Sequence, residues 1–180
     1  AVSAASSAKQ ARDNRVQGAL TLTTIRSAAY DAKANDSLGL IARGQAAPYE
    51  AQVKARQAQV KSGMDTLSRL TWPAGADSVN TVNQPWEAYV AAHTAVRALD
   101  DKGAWDDAVK AVTDAKGATA TSFTAFDEAS AAALKQFDQS LQQEIAAPQW
   151  QLALAALVTV LLGLGAAAAT RRGFAARTKE

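Results

Sequence analysis

WQLALAALVTVLLGLGAAAAT, residues 150–170, is the stretch on which the reading of the whole chain turns. It carries no charge, and only Gln151, Thr159 and Thr170 are polar. As a helix rising about 1.5 Å per residue it would extend roughly 31 Å, which matches the hydrocarbon thickness of a bilayer. Arg171 and Arg172 follow at once. Trp150, at the other end, suits the headgroup interface, where an amphipathic ring is favoured. The sequence therefore predicts a transmembrane helix over 150–170, with the lipid bilayer as a partner.

Charge orients that helix. The chain has a net charge of +2, but residues 171–180 alone carry Arg171, Arg172, Arg177 and Lys179 against Glu180. Residues 1–149 are left slightly acidic. Basic residues just beyond a membrane helix mark the cytoplasmic side. Residues 1–149 are thus expected to be extracytoplasmic and 171–180 to form a cytoplasmic basic tail, in the cell membrane. The high isoelectric point comes from that tail, so it gives no support to nucleic-acid binding. The chain opens on Ala1 with no apolar run near its start; either a signal sequence or earlier membrane helix has been removed or the chain is an excerpt, and the abrupt stop at Lys179-Glu180 favours an excerpt.

The rest reads as helix. About a quarter of the residues are alanine, and no segment alternates as a strand does. Over 5–42, Val16, Leu20, Thr23, Ser27, Tyr30, Ala34, Leu38 and Ile41 recur at steps of three and four, the period of one helical face. Gly44 supplies a stop, and Pro48 can open the next helix, over 48–70. There Tyr49, Val53, Val60, Met64 and Leu67 share a side. A loop with Pro and Gly covers 71–83. A third helix, 84–101, turns Trp86, Val90, His93 and Val96 inward. Gly103 and Trp105 introduce a short helix over 105–114. The last begins near Ala118, with Phe123, Phe126, Ser130, Leu134, Phe137, Leu141 and Ile145 as its stripe.

Four principal amphipathic helices with short connections predict an all-α fold: an antiparallel four-helix bundle ectodomain continuing into one C-terminal transmembrane helix. Counted back from the membrane anchor, residues 43–48 and 101–118 fall at the distal tip, and 71–83 near the bilayer.

Few residues suggest chemistry. The chain has no cysteine, so thiolate nucleophiles and cysteine metal sites are excluded. There is no Ser-His-Asp pattern and no glycine-rich phosphate loop. No catalytic residue, metal or cofactor is expected, and the chain does not read as an enzyme. His93, the one histidine, sits between Trp86 and Val96 and reads as a hydrogen-bonded core residue. Asp106 and Asp107 favour the N-terminus of the short helix through its dipole. Arg26, Asp31, Asn35 and Asp36 either hold a small polar ligand between helices or pair at the surface. Trp105, in a polar tip, either anchors a partner or folds back to cap the bundle end. The candidate ligand or partner contacts are Asn35, Arg43, Tyr49, Arg97, Asp101 and Trp105; Trp150, Arg171 and Arg172 mark the membrane interface.

IRSAAYDAKANDSLGLIARG (25–44), YEAQ (49–52), WEAYVAAHTAVRALDDKGAWDDAVKAVT (86–113), FTAFDEASAAALKQFDQSL (123–141) and the tail RRGFAARTKE together resemble a module of large integral membrane proteins of actinobacteria. The resemblance covers most of the chain and corresponds to the C-terminal extracytoplasmic half with its final membrane helix. It implies a transmembrane partner in amino-acid sensing, which receives information from an extracytoplasmic solute-binding lipoprotein and passes it to a cytoplasmic kinase.

A sensor or receptor module is thus the first expectation. The alternative is a structural or assembly subunit of a cell-envelope complex. A chemoreceptor-type ectodomain would need a signalling coiled coil after the membrane helix; the ten residues following Thr170 do not supply one, so that option requires a continuation beyond Glu180.

Overall fold

The structure is a computed structural model that describes residues 2–70 and 77–143. These are helical apart from turns at 42–46, 68–70, 102–104 and 114–117, with no strand among the described residues. The helices are α1 (Val2–Ile41), α2 (Ala47–Leu67), α3 (Asp77–Asp101), α4 (Trp105–Thr113) and α5 (118–143). Residues 1–141 form one compact unit. No helix among the described residues is long and apolar enough to cross a membrane. The expected span at 150–170, with Trp150, Arg171 and Arg172, lies outside the described residues.

The core is built on aromatic rings from α3 and α5. Trp86 packs against Tyr89 and Phe126, each with ring centroids 5.3 Å apart. Phe123 meets Tyr89 edge-on at 5.2 Å and Tyr30 of α1 at 5.1 Å. Edge-to-face and tilted contacts at these separations suit the ring quadrupoles. Val60, Met64 and Leu67 of α2, Val79 and Val82 of α3, and Phe137 of α5 complete the cluster. A smaller cluster of Leu40, Val96 and Ala108 seats α4 on α1 and α3.

Of the expected inward stripes of α2 and α5, Val53, Val60, Met64 and Leu67 and Phe123, Phe126, Ser130 and Phe137 are buried, while Tyr49, Leu134 and Leu141 are half-buried and Ile145 lies outside the described residues. Two expectations are corrected. The first concerns α1, a helix as expected but turned the other way. Val16, Leu20, Tyr30, Leu38 and Ile41 are exposed, Ile41 at 73%, and Thr23, Ser27 and Ala34 are exposed with them. The buried face is Leu22, Ile25, Ala28, Ala29, Ala32, Asp36 and Leu40. The two stripes share a period but are offset by two residues, about 200° around the axis. Small residues explain the choice. A β-carbon on Gly63 would sit 2.5 Å from Ile25 Cγ1, and one on Gly18 would enter the Phe137 ring. Glycine and alanine let α1 approach α2 and α5 closely enough for many dispersion contacts.

The second correction is the start of α3. Residues 77–83, expected in the loop, are helical, and Pro85 lies inside the helix. Proline there donates no helix bond. Val79, Val82 and Trp86 bury one face across it, and that burial outweighs the missing bond.

Candidate functional site

Two turns bring the site together. α3 ends in a Schellman motif: Gly103, at φ +80°, donates its N–H to the Asp100 carbonyl, and Ala104 donates to that of Leu99. α1 ends through Arg43 and Gly44, both left-handed, at φ +33° and +77°. Gly44 takes that conformation freely. At Arg43 the side chain makes it unfavourable by roughly 1–2 kcal/mol. Backbone strain of this kind collects at functional positions.

The turns meet at Trp105. Its indole N–H donates to the Leu40 carbonyl at 2.8 Å, which at the end of α1 otherwise accepts only a long bond from the Arg43 N–H at 3.4 Å. The Arg43 guanidinium stacks on the indole, 3.6 Å from the ring centroid. Trp105 is half-buried, so the structure contains the fold-back arrangement with one face of the ring covered by Arg43. Asp106 and Asp107 fall in the first turn of α4, where their charge suits the helix dipole.

Beside this latch lies a cavity of about 960 Å³. Arg43, Glu50, Lys54, His93, Arg97, Asp100, Asp101, Trp105 and Asp106 supply most of its polar lining. Four expected contact residues, Arg43, Arg97, Asp101 and Trp105, therefore share one space. Two do not reach it. Asn35 turns back on its own helix and donates to the Asp31 carbonyl at 2.8 Å. Tyr49 packs beside Gly39, whose β-carbon would lie 3.6 Å from that of Tyr49. The polar group near α1 also separates. Arg26 pairs with Asp127 at 2.6 Å, and Asp31 lies 3.5 Å from Arg56, while Asp36 turns into the core at 2% exposure.

Asp36 anchors a charged chain that leads from the core to the cavity. His93 Nδ1 lies 2.8 Å from Asp36 Oδ1, and His93 Nε2 lies 3.3 Å from Glu50 Oε2. Arg97 then meets three carboxylates: Glu50 Oε1 at 3.2 Å, Asp100 Oδ2 at 2.6 Å and Asp101 Oδ1 at 2.9 Å. Tyr89 donates to Asp36 Oδ2 at 3.3 Å. Thus α1, α2 and α3 are joined by one buried polar network. Sequence reading missed Asp36 and Glu50 as partners of His93, because the three come from different helices with no characteristic spacing.

Burial works against a proton on His93, but Asp36 and then Glu50 outweigh it and raise the imidazole above its ordinary value. Burial and the Asp36 charge likewise push the Tyr89 phenol up, so it stays a donor. The raised folded value makes stability depend on pH. Below about pH 6.5, where the unfolded imidazole is also protonated, the contribution of His93 is fully present. It is lost as pH rises through the folded value. Denaturant unfolding of chelator-treated protein across that window is expected to show falling stability, and His93→Gln is expected to remove the slope.

Searches against protein-family models, curated proteins and solved structures match nothing to this chain. Fold and site together define an all-helical protein with a polar, mixed-charge cavity at the meeting of two interhelical turns.

Proposed function

We propose that the chain is a membrane-anchored extracytoplasmic sensor module, with the cavity beside Trp105 as its recognition site. In this reading the main helices form an antiparallel four-helix bundle, and residues 150–170 span the membrane. Contact order supports the bundle: Ile25 lies beside Gly63 and Gly39 beside Tyr49, while Gly18 faces Phe137 and Arg26 faces Asp127. Sequence position rises on one helix as it falls on the other in both pairs.

The observation that carries the reading is the convergence of Arg43, Arg97, Asp101 and Trp105 on one cavity that also holds a strained residue. Arg43 and Lys54 make no ion pair among the described residues, nor does Asp106, so the lining offers charges of both signs to a polar solute. The family resemblance supports an amino acid, or a solute-binding lipoprotein presenting one. Binding would act first on α1 to α4, whose residues line the cavity, and packed helices can shift by about 1–2 Å without unfolding, which would pass the signal on toward 150–170.

A second reading, an assembly subunit, draws on the exposed apolar residues Val16, Leu20, Tyr30, Leu38 and Ile41 along α1. The 180-residue chain in lipid nanodiscs separates the two. Sensing predicts a raised melting temperature with one member of an amino-acid panel, or capture of a solute-binding protein. Arg43→Ala and Trp105→Ala should abolish either response while the variants stay helical by circular dichroism. Wild-type protein that ignores every solute and binding protein, yet co-purifies with a constitutive membrane complex, would establish assembly instead.

A further inference from the structure

We propose that Asp36, Glu50 and His93 bind a divalent transition-metal ion at the floor of the tip cavity. They come from α1, α2 and α3, and one ligand atom from each lies within 4.8 Å of the other two. The inference goes beyond solute sensing and stands whether or not the cavity binds a solute.

The arrangement of oxygens is the first argument. One oxygen of each carboxylate faces a neighbour: Tyr89 donates to Asp36 Oδ2, and Arg97 Nε forms an ion pair with Glu50 Oε1 at 3.2 Å without an aligned hydrogen bond. The other oxygens meet the imidazole at its two different nitrogens, Asp36 Oδ1 at Nδ1 and Glu50 Oε2 at Nε2. Neighbours that fix one carboxylate oxygen and leave the other free are the usual support of a metal ligand.

A poorly aligned pair is the second. Asp36 is 2% exposed and His93 is 5% exposed. Their facing atoms, Asp36 Oδ1 and His93 Nδ1, are fully enclosed and form an ion pair at 2.8 Å whose hydrogen-bond angle is poor. An ion about 2.0–2.2 Å from both atoms must lie off the line between them. Lone pairs that converge on such an ion point past each other, so the misalignment that spoils a hydrogen bond is what a shared ion requires. Glu50 is the least buried of the three, with its side chain 19% exposed, and sharing the ion with Asp36 Oδ1 and His93 Nδ1 requires that side chain to rotate from the Nε2 side of the ring.

Charge and access agree. With His93 neutral, four carboxylates (Asp36, Glu50, Asp100 and Asp101) surround one guanidinium, and a divalent ion cancels most of the excess. One imidazole with two carboxylates suits zinc, manganese or ferrous iron. It is too poor in oxygen for calcium, which takes about 6–8 ligands, and lacks the soft sulfur that cuprous ion prefers. Glu50 and His93 line the cavity, which gives the ion a route in and leaves coordination positions open to water.

The test uses the untagged 180-residue chain in detergent, stripped with chelator and dialysed against zinc, with cobalt as a spectroscopic probe. One equivalent of zinc and a cobalt absorption spectrum with imidazole ligation are expected. His93→Ala and Asp36→Asn should weaken zinc binding by at least about 100-fold, and Tyr89→Phe by about 10-fold. Should the two enclosed variants fail to fold by circular dichroism, Glu50→Gln decides, with a loss of at least about 10-fold expected. The proposal is overturned if wild-type protein takes up no stoichiometric zinc or cobalt. Uptake undiminished in Glu50→Gln, or nitrogen NMR showing both His93 ring nitrogens protonated with zinc present, overturns it equally.

Discussion

Phe126→Ala is expected to lower the unfolding free energy by about 3–5 kcal/mol, the range for removing a large aromatic side chain from a core. Phe126 is fully buried and packs against Trp86 at 5.3 Å and Phe123 at 5.9 Å. The alanine side chain loses the transfer free energy of the ring and leaves a cavity between α3 and α5. Trp86 and Tyr89 cannot fill it, because their rings are already held by Phe123 and by each other. At about 3 °C per kcal/mol for a domain of this size, the melting temperature should fall by roughly 10–15 °C. Differential scanning calorimetry reads the loss directly. A fall below about 1 kcal/mol would mean that α5 is not packed on α3 as described.

The second large effect is at Asp36. In chelator-treated protein, Asp36→Ala should destabilise by about 3–5 kcal/mol, because removing one partner of a buried pair strands the other in a low-dielectric site. His93 would keep Glu50 as its one anionic neighbour. The double variant Asp36→Val/His93→Leu is expected to lose less than the two single changes together, by a coupling of about 2 kcal/mol. Urea unfolding of the four proteins yields that term. Strict additivity would show that Asp36 and His93 do not interact. Buried charges of this kind are often no better for stability than apolar residues of similar volume. Their presence in the core beside a cavity therefore fits a site kept for binding.

Both effects rest on features that were unequally legible in the sequence. The stripe of α5, from Phe123 through Phe137, was plain because large apolar residues at steps of three and four have one burial solution. Gly44 and Gly103 marked the turns because positive φ is strongly unfavourable elsewhere. Those turns pointed to Arg43, Asp101 and Trp105 as neighbours, but the same candidate set held Asn35 and Tyr49, which do not reach the cavity. The rotation of α1 was not legible in the same way. Its larger apolar residues, Leu20, Leu38 and Ile41, outweigh Ala28, Ala29 and Ala32 on any hydropathy reading, yet the alanines are inside. Nor was the Asp36–His93–Glu50 chain legible, since no spacing along the sequence joins residues 36, 50 and 93.

Helical period, chain reversals and the aromatic faces of α3 and α5 were determined by the sequence alone, since each depends on neighbours within a few residues. Tertiary structure decided which face of α1 turned inward, how far α3 extended back through Pro85, and which carboxylates met His93. The physical reason is common to all three. A helix repeats its pattern whichever way it is rolled, and the choice falls to whatever lets its neighbours come closest. Here that was the small side chains of Gly18, Ala28, Ala29, Ala32 and Gly63, whose close approach brought Asp36 in beside His93.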